Sequence, residues 1–250
     1  MSAVGDGLPV GVDFGGSGIK GAAVDLARGD FATERTRIET PQPSTPDAVA
    51  AVLGELLAPY DDSAPVGVTV PGVVRDGVVR TAANIDPSWV GVDAAALFAR
   101  ATGRPVTALN DADAAGLAEG RYGAARGHTG LVVVTTLGTG IGSALLLDGV
   151  LVPNAELGHV EIGGRVAEQW TANSVREAEG LGWEEWAARL TTYYRHLERL
   201  LSPSLFVIGG GVSKHADRFV PMLDLDTPIV PAVLRNKAGI VGAALHATGG

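Results

Sequence analysis

Four short stretches of the chain gather residues able to do chemistry on phosphates and hydroxyls. The first is Asp13-Phe14-Gly15-Gly16-Ser17-Gly18-Ile19-Lys20. Glycines let the backbone approach a phosphate closely and offer it N–H donors. The Ser17 hydroxyl and Lys20 ammonium add donors, and Asp13 can hold Mg²⁺ directly or through water. An isolated Gly-Gly is more often a plain hairpin turn. Here Leu137-Gly138-Thr139-Gly140-Ile141-Gly142 repeats the arrangement in the other half of the chain. The spacing is not that of a Walker A loop, and no helix follows directly, as a dinucleotide fold requires. The third stretch, Asn110-Asp111-Ala112-Asp113, offers a carboxylate that can orient a hydroxyl and take its proton. Asp113 reads as a charge beside a helix N-terminus. The fourth, Glu156-Leu157-Gly158-His159, pairs an acceptor with a group that both donates and accepts, which suits neighbouring sugar hydroxyls.

The elements that must position these residues follow from periodicity. Apolar runs at Val10–Phe14 and Ile19–Leu26 flank the first turn, giving strand, turn, strand. A third strand is expected over Phe31–Thr40. Thr45-Pro46-Asp47 starts a helix, with a hydroxyl cap and Pro in the first turn; Val49, Val52, Leu53, Leu56 and Leu57 form its buried face. Val66–Val70 is a short buried strand, and Asp76-Gly77 centres a hairpin with a primed turn. Asp93–Thr102 is a helix closed by Gly103. Pro105–Leu109 is a strand that delivers Asn110-Asp111 at its end. The second half opens in the same way, with strands Gly130–Leu137 and Ile141–Leu147. A long amphipathic helix at Trp183–Leu201 and a strand at Leu205–Ile208, running into Gly209-Gly210-Gly211, come next. A last helix covers Asn236–Ala247. The sum is a duplicated α/β architecture.

Composition excludes several classes. A formal charge of −9 argues against general nucleic-acid binding, which needs a broad basic face. The absence of cysteine removes disulfides and thiolate zinc sites and fits a reducing cytoplasm. No apolar stretch approaches the ~20 residues that span a bilayer, and Met1–Pro9 carries no signal-peptide pattern. A soluble, cytoplasmic protein with neither nucleic-acid nor membrane partners is expected.

With both glycine turns, Asn110-Asp111 and Glu156–His159 in place, the chain resembles the actin-like sugar kinases, and specifically the ROK (repressor, open reading frame, kinase) family, from about Val10 to Ala247. The resemblance implies a duplicated actin-like ATPase (ribonuclease H-like) α/β fold of two domains with the active site in the cleft. A small domain would cover 1–109, completed by 236–250, and a larger one 110–235. Gly15, Gly16, Ser17 and Lys20 look like the first phosphate motif, with Ser17 where Thr is usual. Gly138, Thr139 and Gly140 resemble the second, and Gly209, Gly210 and Gly211 the segment near the distal phosphates. By resemblance Asp111 is the general base. Asn84, Asn110, Glu156, His159 and, across altered sequence, Glu168 meet the sugar, and Asp13 serves Mg²⁺.

Most members carry a zinc-binding cysteine cluster after this His. Val160–Asn173 has no Cys, so no structural zinc is expected and His159 is left for sugar. The branch without the cluster includes polyphosphate-using glucokinases, and His159–Gly164 and Thr227–Ala232 look like that branch. The implied reaction is phosphorylation of glucose at O6 from inorganic polyphosphate or ATP, with Mg²⁺, in a homodimer. Lys214, His215 and Arg218, with Arg235 and Lys237, are candidates for a polyphosphate track; a solvated mixed-charge surface is the plainer reading of each. A strictly ATP-dependent glucokinase, another hexose or N-acetylhexosamine kinase, and a non-enzymatic actin-like assembly protein stay as alternatives. A repressor of the family would need a winged helix ahead of the first motif.

Overall fold

The computed structural model describes residues 7–82 and 85–249. The chain forms two compact units, Met1–Ala118 with Lys237–Gly250, and Glu119–Asn236.

In unit one, β1 (Val10–Gly15) and β2 (Gly18–Asp25) form the expected hairpin, with Gly15 opposite Gly18 and Asp13 opposite Lys20. The strand expected over Phe31–Thr40 is two pieces, β3 (Asp30–Phe31) and β4 (Thr36–Ile38), each pairing with β2. The break has a local cause. The Ala23 N–H donates to the Thr33 hydroxyl at 3.1 Å, so a side chain takes the place of a main-chain partner. Helix α1 (Pro46–Leu57) buries Val49, Ala50, Leu53, Leu56 and Leu57. Thr45 holds the N-cap position with extended backbone, but its hydroxyl makes no cap hydrogen bond, contrary to the sequence reading.

Next come β5 (Val66–Val70), then β6 (Val74–Arg75) and β7 (Val78–Val79). The turn joining β6 and β7 has φ of 52° at Asp76 and 79° at Gly77, as a primed turn demands. In α2 (Ala94–Thr102), Asp93 accepts the Ala96 N–H at the start, and Gly103 closes the end at φ 71°. Strand β8 (Val106–Asn110) leads straight into α3 (Asp111–Tyr122). The division between units falls inside α3, where the sequence reading placed it at the end of β8.

Unit two holds β9 (Leu131–Leu137), β10 (Ile141–Leu147), β11 (Val150–Val152), the small hairpin β12 (Glu161–Ile162) and β13 (Arg165–Val166), β14 (Leu205–Gly209) and β15 (Ile229–Pro231). Helices α4 (Glu168–Thr171), α5 (Asn173–Ala178) and α6 (Trp183–Leu201) complete it, and α6 buries Trp186, Tyr193, Tyr194 and Leu197. Buried Glu119 ties its own end of α3 to a distant loop, accepting the backbone N–H groups of Ala124, Val233 and Leu234. Three such donors are what a buried carboxylate needs.

Sheet order makes the duplication explicit. Unit one runs β3-β2-β1-β5-β8 and unit two β11-β10-β9-β14-β15. Each central strand pairs antiparallel with its hairpin partner and parallel with the strand on its other side. The expected duplicated actin-like architecture is present.

Helix α7 (Ala238–Ala247), preceded by a 3-10 turn at Arg235–Lys237, returns to unit one. It starts two residues later than the sequence suggested. Neighbouring glycines on β1 and β5, Gly11 and Gly67, admit it. A Cβ at either would overlap a carbonyl oxygen of the helix, at Ile240 or Ala243 respectively. Gly242 likewise lets α7 meet the backbone of α3 at Ala114.

Candidate active site

The first glycine turn is held by its neighbours rather than by its own sequence. Its carbonyls are all engaged: Gly15 accepts from the Thr40 hydroxyl at 2.5 Å, Gly16 from the Gln42 amide at 3.5 Å, and Ser17 from the Arg37 guanidinium at 2.9 Å. With the oxygens drawn toward residues 37–42, the turn can offer its N–H groups to an anion. Behind it, Lys20 Nζ lies 3.2 Å from Asp13 Oδ2, and the Thr69 hydroxyl donates to Asp13 Oδ1 at 3.3 Å. Thr69 also accepts the Phe14 N–H at 3.1 Å.

Asn110 is the cap of α3. Its Oδ1 accepts the Asp113 N–H at 3.0 Å, and its Nδ2 donates to the Gly72 carbonyl at 3.1 Å. The side chain therefore fixes Asp111 as the first residue of the helix, where the positive end of the macrodipole faces the carboxylate. Asp111 Oδ1 accepts the Ala112 N–H at 2.8 Å. Asp113 is buried in the same turn. Asn84, expected against the sugar, lies outside the described residues.

In unit two the second turn is pinned by Ser174, whose N–H donates to the Gly138 carbonyl at 3.0 Å and whose hydroxyl donates to the Thr139 carbonyl at 2.5 Å. The Gly140 carbonyl accepts the Gly138 N–H at 3.0 Å. Just past the turn, the Ile141 N–H donates to Glu168 Oε2 at 3.1 Å, while Glu168 Oε1 sits 3.4 Å from His159 Nε2. His159 Nδ1 is 3.8 Å from Glu156 Oε2. Glu168, His159 and Glu156 thus form one chain of polar groups anchored on the glycine turn. Burial raises the Glu156 carboxyl above the usual carboxylate range; the His159 charge opposes this and the Glu168 charge adds to it.

The Glu156–His159 segment is seated by Ser143, which donates to the Ala155 carbonyl at 2.7 Å and accepts the Leu157 N–H at 2.8 Å. Gly158 meets β10 so closely that a Cβ would overlap the Ile141 carbonyl. Gly209 ends β14, and Gly210, at φ 81°, packs on Leu137 at the entrance to the second turn. Lys214 is exposed on the 3-10 segment Gly211–Arg218.

The sequence matches the ROK family model over residues 9–179, more than half of its length. The chain belongs to the ROK family. It is 52% identical over 236 residues to the polyphosphate glucokinase of Mycobacterium tuberculosis (strain CDC 1551 / Oshkosh), covering 94% of this chain and 89% of that protein. The crystal structure of inorganic polyphosphate/ATP-glucomannokinase from Arthrobacter sp. strain KM is similar throughout, with a TM-score of 0.91 and 55% identity, covering 96% of this chain and 98% of that one. The ROK family glucokinase from Streptomyces griseus, solved in complex with glucose and AMPPNP, gives a TM-score of 0.83 at 26% identity, covering 98% and 100%.

Seen as a ROK protein, the chain groups its candidate residues by unit. Asp13, Gly15, Gly16, Ser17, Lys20, Asn110 and Asp111 lie in unit one; Glu156, His159, Glu168 and the other two glycine segments lie in unit two. Lys237, a track candidate, belongs to unit one, where its ammonium is 2.6 Å from Asp30 and 5.6 Å from the Phe31 ring centroid. Sequence reasoning missed Arg37, Thr40, Gln42, Thr69 and Ser174. Each acts through one or two hydrogen bonds to residues distant in sequence, and only the run of polar residues at 33–42 after an apolar strand hinted at a role.

Proposed function

We propose that this ROK protein phosphorylates glucose at O6, taking the phosphoryl group from inorganic polyphosphate and, as a second donor, ATP. Its likeness to the polyphosphate glucokinase and the polyphosphate/ATP-glucomannokinase supports the donor and the sugar. One observation carries the reading furthest. Glu168 accepts the N–H at the exit of a glycine turn and also lies beside His159, so the groups proposed for phosphate and for sugar share one chain of polar contacts.

Asp111 is the general base in this reading. The O6 hydroxyl gives its proton to the Asp111 carboxylate as the O6–P bond forms and the donor P–O bond breaks, releasing a chain one phosphate shorter, or ADP. Asn110 positions Asp111 by capping α3, and its remaining amide hydrogen is left for a sugar hydroxyl. Glu156, His159 and Glu168 orient further hydroxyls, with Asn84 in the same set. Ser17, Lys20 and the glycine-turn N–H groups neutralise the phosphoryl oxygens.

Asp13 fits a largely hydrated Mg²⁺. It offers one partly exposed carboxylate, and among the described residues no group of three or more His, Asp or Glu forms a cage. Mg²⁺ commonly keeps several waters and takes phosphate oxygens as ligands; when bound it would offset the charge of the transferring phosphoryl group. Among the described residues no helix is long and apolar enough to cross a membrane. A cytoplasmic location goes with the reading, since a chain without cysteine suits a reducing compartment. So does a homodimer, for which the exposed Leu147, Val150 and Val152 along β10 and β11 offer an apolar edge; sedimentation velocity tests it.

The deciding experiment is the initial rate of glucose phosphorylation with Mg²⁺ and either long-chain polyphosphate or ATP. A polyphosphate kcat/KM well above that for ATP is expected. ATP turnover alone would overturn the donor, and no turnover of either across a hexose panel would overturn the reaction. Asp111→Asn should lower kcat at least ~10²-fold, the usual worth of a general base; near-normal turnover would remove Asp111 from that role.

A further inference from the structure

Two elements of unit two touch the second glycine turn. Helix α5 does so through Ser174, and the segment Gly211–Arg218 through Gly210, which packs on Leu137. The same two elements carry basic side chains that converge on one half-buried indole, Trp183. The Arg176 guanidinium of α5 lies 4.3 Å from its ring centroid and that of Arg218 5.9 Å, while the His215 ring is 5.7 Å away. Phe219 is stacked on the same indole at 5.9 Å, 11° from parallel. An indole already engaged by a guanidinium and a parallel ring is suited to holding cations in place, and poorly suited to stacking a nucleobase.

The charges around this cluster are mixed but incompletely matched. Arg176 pairs with Glu177 at 3.2 Å and donates to Asn173 Oδ1 at 3.0 Å. Asp217 adjoins Arg218 in sequence, yet Arg218 and Lys214, both exposed, make no ion pair among the described residues. A guanidinium held over an aromatic ring without a carboxylate partner is prepared to take a phosphate by its fork of N–H donors.

We infer that Arg176, His215 and Arg218, gathered on Trp183 and joined by Lys214, form a subsite for the phosphates of a long chain that lie beyond those at the glycine turn. The inference rests on the phosphoryl-transfer reading above and adds Arg176 and Trp183 to the groups serving the donor. It also accounts for how such a site tells donors apart: a linear polyanion reaches the cluster, whereas a short donor ends before it.

The test is Arg218→Glu, an exposed substitution, assayed with long-chain polyphosphate, tripolyphosphate and ATP. Loss and reversal of one phosphate-contacting charge should raise KM for the long chain about tenfold or more and flatten its salt dependence. KM for tripolyphosphate and for ATP should change far less. An equal rise for all three donors, or none for the long chain, overturns the subsite. Calorimetric titration of long-chain polyphosphate separates this inference from the donor assignment. Binding that depends on Arg218 in a protein that turns over only ATP would keep the subsite and sink the donor. Turnover of polyphosphate with affinity indifferent to Arg218→Glu would do the reverse, and no binding at all would end both.

Discussion

In unit one the glycine turn hands its three carbonyls to Thr40, Gln42 and Arg37; in unit two Ser174 takes two and the third closes on the turn's own Gly138 N–H. The strands around the two turns have the same order and pairing, and the turns have the same glycine-rich composition, yet none of these donors corresponds. The backing differs in charge as well. The side chain against Gly18 is the Arg37 guanidinium, whereas the one against Gly140 is the Glu168 carboxylate. On the proposed reading, turn one would attract a phosphate through the cations Arg37 and Lys20 as well as its backbone. Turn two would rely on backbone N–H groups alone, and its neighbouring anion, Glu168, faces His159, the histidine proposed to meet the sugar. What the comparison teaches is that a glycine turn is left able to offer its N–H groups when something else engages its oxygens.

The turns also agree in one respect. Gly16 and Gly138 each have open space where a Cβ would point, with nothing within 4 Å, while Gly18 and Gly140 are crowded by the side chains just named. The largest effect is expected where a methyl would strike the carboxylate: Gly140→Ala should push Glu168 off both Ile141 and His159 and lower kcat/KM for glucose about a hundredfold, as displaced catalytic geometry does. Retained glucose kinetics would break the link drawn between turn two and the sugar. Gly16→Ala and Gly138→Ala should leave the thermal midpoint unchanged but raise donor KM about tenfold, because the methyl would occupy the open space that the proposed reading gives to phosphate. A rise in one variant alone would show that a single turn approaches the donor. Smaller losses, about fivefold in donor kcat/KM, should follow Thr40→Val and Ser174→Ala, each worth roughly one hydrogen bond. Thr40→Val should be the worse of the two, since the Ser174 N–H stays on Gly138. The smallest effect is a pH shift. With the Glu156 carboxyl raised by burial, kcat/KM for glucose should begin to fall on the acid side above the usual carboxylate range. In His159→Gln that limb should move to still higher pH, since the His159 charge draws it down; a limb moving lower would put another group in control.

The strand–turn–strand units, the primed turn at Asp76-Gly77 and the Gly103 stop were legible because short-range chemistry decides them. The placement of Asp111 at the start of α3 was legible too, since a strand end and a helix start meet there in the sequence. The brackets on the glycine turns were not, since Thr40 and Ser174 earn their roles only through partners 25 and 35 residues away. Thr45 shows the opposite error: a sound capping residue in sequence, it leaves the helix end uncapped by its side chain. Asn110 was read as a sugar ligand, and its capping of α3 emerged only with the Asp113 and Gly72 contacts. Nothing in the sequence singled out Gly11 and Gly67 within their strands, and only the docking of α7 gives them a purpose.

That docking has a consequence for how the protein is made. Residues 237–250, which carry α7 onto the Gly11–Gly67 slot, follow the whole of unit two in the chain. Unit two is contiguous and can assemble as soon as it leaves the ribosome, since domains tend to fold as units during synthesis. Unit one, begun first, has to wait with two bare strands exposed until the translation of its neighbour is over.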